Sequence, residues 1–139
     1  IKTKGRVIYD PNRGEDFKKK HKSKTMIVQL PYDDLEQYYA WYLKQKFGSY
    51  LAIQRPMYGN HVTVVAGTER PTKQHLWNVH KNEVVEFEYS PELQFHWKFW
   101  FLPVRSQQMN DFRHELGFNS KFNLHITVGR MHTWQMESF

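Results

Sequence analysis

Two segments of the chain alternate between polar and apolar side chains around a histidine and a threonine. Residues 60–67 read NHVTVVAG, and residues 124–130 read LHITVGR. Because successive side chains of a strand point to opposite faces, His61 and Thr63 share one face of the first segment, and Val62 and Val64 share the other. Each segment is therefore restricted to a strand with one core-facing side and one polar side.

The polar faces of these two strands carry the same pair of residues. His125 and Thr127 share a face in the second segment, as His61 and Thr63 do in the first. One His-x-Thr triplet arises easily by chance in a chain with 8 histidines, and histidine and threonine on a solvent-facing strand are ordinary surface residues. Two copies with matching aliphatic neighbours favour a common chemical role.

Composition sets the class of protein. The length of 139 residues predicts a single domain, residues 1–139, and 40% hydrophobic with 24% charged residues is typical of a globular fold. The absence of cysteine excludes disulfides and suits a reducing compartment. With no long apolar run and no leader-like start, we expect a cytoplasmic protein that has no membrane association and needs no obligate protein partner.

The formal net charge is +6, and five of the lysines lie in residues 18–24, KKKHKSK. The positive excess is therefore mostly local. Such a segment is typical of a solvated loop, and it also suits a flap that attracts phosphate groups.

The remaining pattern predicts strands interspersed with helices. The predicted strands are residues 5–9, 25–30, 50–54, 61–65, 84–89, 94–101 and 122–129, and the predicted helices are residues 33–47, 71–80 and 104–116. This order predicts an α+β fold in which helices cover antiparallel sheets and the two His-x-Thr strands face each other across a central cleft.

Paired histidines suit the cleavage of a phosphodiester. The attacking oxygen must lose a proton while the leaving oxygen gains one, and two imidazoles can do both because their ordinary pKa lies near neutrality. Threonine hydroxyls two residues further along each strand can hold the non-bridging phosphate oxygens.

The segments NHVTVV and LHITVG resemble the paired His-x-Thr motifs of the 2H phosphoesterase superfamily, whose members cleave or ligate RNA-type phosphodiesters. Further stretches such as LWNVHKNEVVEFEYSPE and RHELGFNSKFNLHITVGR resemble a phage-encoded branch similar to anti-CBASS nucleases, which hydrolyse cyclic di- and trinucleotide signals. The resemblance implies a two-lobed fold, and it implies that His61, Thr63, His125 and Thr127 are catalytic.

Four further residues are candidates for substrate binding. In FHWKFWF, residues 95–101, alternation predicts Trp100 on an exposed face where it could stack a base, although aromatic strand residues more often pack in a core. Arg130 follows the second motif and suits phosphate binding, or it is a surface charge at a strand end. Tyr9 and Tyr58 lie near turns and are weaker stacking candidates.

No metal site or cofactor is expected. His75 and His80 are five residues apart, which does not place both on one helical face, and no zinc or dinucleotide motif occurs. The sequence thus predicts a metal-independent phosphodiesterase acting on cyclic oligonucleotides or short RNA. The alternatives are a 2′,3′-cyclic phosphodiesterase or ligase-like enzyme on RNA ends, a non-catalytic RNA-binding module, and a protein-interaction domain.

Overall fold

The computed structural model describes residues 1–11, 24–32, 34–48, 53–54, 58–119 and 122–131. The elements in these ranges are β1 (Lys2–Tyr9), β2 (Met26–Gln29), α1 (Asp34–Phe47), β3 (Ile53–Gln54), β4 (His61–Val65), a 3₁₀ turn (Gln74–Leu76), β5 (Val84–Tyr89), β6 (Gln94–His96), β7 (Phe99–Arg105), α2 (Gln107–Glu115) and β8 (His125–Met131). The basic loop predicted at residues 18–24 lies outside these ranges except for Lys24. No helix in the described part of the chain is long and apolar enough to cross a bilayer.

Six strands close into an antiparallel β-barrel in the order β1, β2, β4, β8, β7 and β5. The ring is complete because β5 pairs with β1 and β7 pairs with β8. Two short strands extend from it, since β3 pairs with the end of β8 and β6 forms a hairpin with β7. The molecule is therefore mostly β.

The predicted two-lobed α+β fold is wrong. The strands that carry the two motifs do not face each other across a cleft; they are adjacent in one sheet, where Val62 lies opposite Ile126. Alternation along a strand determines which side chains share a face, but it does not determine which strands become neighbours. Here one edge of β8 pairs with β7 and the other with β4 and β3, which closes a single barrel.

The hydrophobic core is built on the apolar faces of the strands. Val62, Val64 and Ile126 are fully buried, as alternation predicted. Each helix adds side chains to the same core, with Tyr39 and Leu43 from α1 and Met109 and Phe112 from α2. Burial of side chains of this size contributes about 1.5–3 kcal/mol each relative to exposure.

The spacing of Leu35, Tyr38, Tyr39 and Tyr42 in the sequence predicts a core-facing side of α1 that differs from the observed one. Tyr38 and Tyr42, expected to pack inward, are 55% and 38% exposed, while Leu43 is buried. A tyrosine ring tolerates partial exposure because its hydroxyl is hydrated, so the leucine takes the deeper position. The buried stripe thus follows Leu35, Tyr39 and Leu43 at four-residue spacing.

A buried asparagine connects the start of α1 to the first motif strand. Asn60 is 1% exposed and directly precedes His61. Its Oδ1 accepts the backbone N–H of Glu36 in the first turn of α1, at 3.1 Å, and its Nδ2 donates to the Tyr32 carbonyl, at 2.8 Å. Asn60 therefore satisfies one of the N–H groups that a helix leaves without an internal partner.

Residues 94–101 form a hairpin rather than one strand. Strand β6 ends at His96, Trp97 and Lys98 turn, and β7 begins at Phe99, with Phe95 opposite Trp100. The turn was missed because its first central position, where glycine or asparagine is usual, is occupied by Trp97 with φ 58°.

Helix α2 is fastened to the barrel by a buried arginine. Arg113 donates to the Val64 carbonyl at 2.7 Å and forms a bidentate pair with Glu69 at 2.9 and 2.7 Å. Partial burial favours the neutral carboxyl, but the hydrogen bonds from Arg113 and from the Ala66 N–H outweigh it, so the pKa of Glu69 is lowered. This contact holds α2 against the strand that carries His61.

Candidate functional site

The four residues of the two motifs lie together on the face of the sheet opposite the hydrophobic core. Val62 and Ile126 are opposite each other and point into the core, so the antiparallel register places His61 opposite Thr127 and Thr63 opposite His125. All four side chains are half-buried. The motif site is hereafter the rectangle formed by these four residues.

The two histidines occupy one diagonal of the motif site and the two threonines the other. Diagonal neighbours on one face of an antiparallel pair are roughly 7–8 Å apart, which leaves room for a small group between them. An anion at the centre would meet imidazoles from two opposite corners and hydroxyls from the other two. The arrangement has the approximate two-fold symmetry of an antiparallel strand pair.

Both imidazole rings are oriented in the same way. Nδ1 of His61 lies 2.8 Å from the carbonyl oxygen of Gly59, and Nδ1 of His125 lies 2.8 Å from that of Asn123. A carbonyl oxygen only accepts, so Nδ1 carries the proton in each neutral ring. The lone pair of each neutral ring is therefore on Nε2, the nitrogen that exchanges a proton.

An aromatic ring packs against each histidine. The Tyr58 ring meets His61 edge-to-face at 5.5 Å between centroids, and the Phe101 ring meets His125 in the same way at 5.3 Å. Gln29 lies opposite His61 on β2, and its amide donates to the Tyr58 carbonyl at 3.1 Å. Tyr58 was predicted as a substrate contact, and the structure places it beside the motif site.

Phe101 and Gln29 were not recognised from the sequence. Alternation along residues 95–101 predicts Phe101 in the core, but it lies opposite Thr127 on the face that carries the motif site. The position of Phe101 beside the motif site depends on the pairing of β7 with β8, and the position of Gln29 depends on the pairing of β2 with β4. No local motif identifies such residues, because strand register is a property of the folded sheet.

A β-bulge brings Arg130 to the same face as the motif site. Trp100 pairs with Gly129 but Phe101 pairs with Thr127, which leaves Val128 as the extra residue of β8. Simple alternation would have placed Arg130 on the core face with Ile126. The bulge instead places Arg130 opposite Phe99, on the face that carries the motif site.

The other two substrate-binding candidates lie elsewhere. Trp100 was predicted to be exposed, which is wrong: it is 5% exposed and packs in the core, because the hairpin turn reverses the faces of the segment. The exposed Phe95 ring lies against it from β6. Tyr9 packs edge-to-face against Trp77 at 4.9 Å, and its hydroxyl accepts the His80 N–H. Tyr9 shares the core-facing side of β1 with Val7, so it does not reach the motif site.

His80 forms a separate ion-pair cluster. Its Nδ1 lies 2.6 Å from Glu83 and its Nε2 lies 2.7 Å from Glu115. Partial burial favours the neutral ring, but the hydrogen bonds with Glu115 and Glu83 outweigh it, so the pKa of His80 is raised. No three His, Cys, Asp or Glu residues of the described ranges are grouped as a metal ion would need.

No protein-family model, curated protein or solved structure matches this chain.

Proposed function

We propose that this protein is a phosphodiesterase that uses His61 and His125 as general base and general acid on small RNA-type phosphodiesters. The observation that carries the proposal is the motif site, in which the two imidazoles occupy one diagonal and the two hydroxyls the other. The chemistry depends on the motif site alone and does not require a two-lobed fold.

The diagonal suits the geometry of phosphoryl transfer. In an in-line displacement the attacking and leaving oxygens lie on opposite sides of phosphorus, so the groups that move their protons must also approach from opposite sides. His61 and His125 do so if the phosphate lies at the centre of the motif site. Thr63 and Thr127 then donate to the non-bridging oxygens and stabilise the charge that develops on them.

Each proton passes through Nε2. One neutral imidazole takes the proton of the attacking oxygen, and the other, protonated, imidazole gives a proton to the leaving 5′ oxygen. The attacking group is either the adjacent ribose 2′-hydroxyl, which forms a cyclic phosphate that water then opens, or water itself. Undiminished cleavage of a 2′-deoxyribose substrate would exclude the first version.

The substrates proposed are cyclic di- and trinucleotides, with the cytoplasm as the place where the protein meets them. This choice follows the resemblance of longer stretches such as LWNVHKNEVVEFEYSPE and RHELGFNSKFNLHITVGR to the branch that contains nucleases of that specificity. A 2′,3′-cyclic phosphodiesterase or ligase-like enzyme on RNA ends would use the same motif site, and only a substrate panel separates these candidates.

The test is incubation of the purified protein with cyclic di- and trinucleotides, 2′,3′-cyclic nucleotides and short linear RNA in EDTA. Wild type is compared with His61→Ala, His125→Ala and the double variant, and with His75→Ala as a matched control because His75 is exposed outside the motif site. We expect each single active-site variant to lose about 10²–10⁴-fold in kcat and the double variant to lose little more, since the histidines act as one unit.

The other outcomes distinguish the alternatives. Cleavage that disappears in EDTA would contradict the metal-independent mechanism. Binding of RNA without cleavage, unaffected by either histidine variant, would instead support the non-catalytic RNA-binding module.

A further inference from the structure

A second surface adjoins the motif site along β7. Phe99 lies two residues before Phe101 on the same face, and Phe101 contacts His125. Two residues of a strand span roughly 7 Å, a distance that one sugar–phosphate unit covers. The hairpin-tip surface is hereafter the group formed by Trp97, Lys98, Phe99 and Arg130.

Arg130 provides a cation whose hydrogen-bonding capacity is not fully used. Its guanidinium carbon lies 6.0 Å from the centroid of the Phe99 ring. Its Nε is buried and has no hydrogen-bond partner in the part of the chain that the structure describes. A buried N–H of this kind is costly unless an acceptor reaches it, and phosphate oxygens are preferred acceptors for arginine.

Trp97 provides an exposed aromatic ring at the end of the hairpin. It is 61% exposed and adopts φ 58°, a left-handed conformation that is uncommon for a bulky residue. Lys98 Nζ lies 4.1 Å from the Trp97 ring centroid and 5.8 Å from that of Phe99. A large ring held exposed in an unfavourable backbone conformation points to a role other than packing.

Exposed rings interspersed with cations are the features that bind single-stranded nucleotides, because bases stack on the rings and phosphates are attracted to the cations. We propose that the hairpin-tip surface binds the nucleotide adjacent to the scissile phosphate, so that the enzyme prefers substrates of two or more nucleotides over mononucleotide cyclic phosphates. This inference rests on the proposed function of the motif site.

The test compares kcat/KM for a diribonucleotide with kcat/KM for a 2′,3′-cyclic mononucleotide. The variants are Trp97→Gly, which suits the left-handed backbone, and Arg130→Gln. The matched control is Trp41→Ala, since Trp41 is 57% exposed on α1. We expect each tip variant to lower the dinucleotide value about tenfold relative to the mononucleotide value, and the control to change neither.

Equal losses on both substrates, or no loss on either, would overturn the inference. If the wild type cleaves nothing, the proposed function fails, and the inference about the hairpin-tip surface is then tested by binding. The probe is then a dinucleotide with a methylene group in place of the leaving 5′ oxygen, measured by calorimetry. Weaker binding by Trp97→Gly and Arg130→Gln than by Trp41→Ala would support the tip as a nucleotide site, and equal binding by all three would contradict it.

Discussion

At the scale of single residues, the two histidines proposed as general base and general acid have equivalent surroundings. Each Nδ1 faces a backbone carbonyl two residues earlier, and each ring meets an aromatic edge. Geometry this similar does not distinguish the base from the acid. Their roles depend on the direction in which the substrate lies across the motif site.

A substrate with sulfur in place of the leaving 5′ oxygen would separate the two roles. A thiolate leaves without protonation, because thiols are far more acidic than alcohols, so the general acid is no longer needed. We expect the alanine variant of the acid to recover nearly wild-type rates on this substrate, while the variant of the base stays at least about 100-fold slower. Initial rates on the oxygen and sulfur substrates provide the measurement, and equal recovery by both variants would contradict the assignment of separate roles.

His80 makes stability depend on pH. Its folded-state pKa is raised above the ordinary value of 6.5, so its contribution is fully present below that value and is lost as pH rises through the folded-state pKa. We expect the free energy of unfolding, measured with urea, to decrease as the pH rises from about 6 to above the folded-state pKa of His80. The decrease should be smaller in His80→Gln. His75→Ala should retain the wild-type fall. An identical pH dependence in His80→Gln and wild type would show that the cluster adds nothing.

At the scale of elements, most strands were predicted because their signal is local. Strands β4 and β5 have the bounds that alternation predicted, residues 61–65 and 84–89. The hairpin of β6 and β7 was read as one strand because no glycine or asparagine marks its turn. The motif residues were found for the same local reason, whereas Phe101 required knowledge of which strands pair.

Asn60 connects two elements, and its removal has a predictable cost. Asn60→Ala leaves the Glu36 N–H and the Tyr32 carbonyl without their side-chain partner in a buried position. We expect the free energy of unfolding to fall by about 1–3 kcal/mol, as for other unsatisfied buried groups. Urea denaturation measures the loss. The control is Asn110→Ala, at an exposed position of α2. If Asn60→Ala lost no more free energy of unfolding than Asn110→Ala, the stabilising role of Asn60 at the start of α1 would be refuted.

At the scale of the whole molecule, barrel closure creates the motif site. The pairing of β4 with β8 places His61 and His125 on one continuous surface, and the pairing of β7 with β8 adds Phe101 and Arg130 to it. These strands are far apart in sequence, so the sequence pattern gave no direct evidence of their contact. The resemblance implied a two-lobed arrangement of sheets, which the closed barrel contradicts, whereas the catalytic role it implies for the motif residues stays a prediction.

The adjacency of β4 and β8 can be tested chemically because the chain contains no cysteine. In the double variant Thr63→Cys with His125→Cys, the two new residues are directly opposite, and the roughly 4.5–5.5 Å between opposite Cβ atoms is close to what a disulfide requires. We expect rapid oxidation to an intramolecular disulfide, detected by mass spectrometry of the protease-digested, unreduced protein.

The matched control for this crosslink moves one thiol by two residues along the same face. In Thr63→Cys with Thr127→Cys the new residues are diagonal neighbours, roughly 7–8 Å apart, which is too far for a disulfide without movement of the backbone. Both double variants would crosslink poorly if the two strands lay on opposite walls of a cleft. Efficient crosslinking of the opposite pair alone therefore requires the register in which Val62 faces Ile126, and with it the diagonal placement of the two histidines.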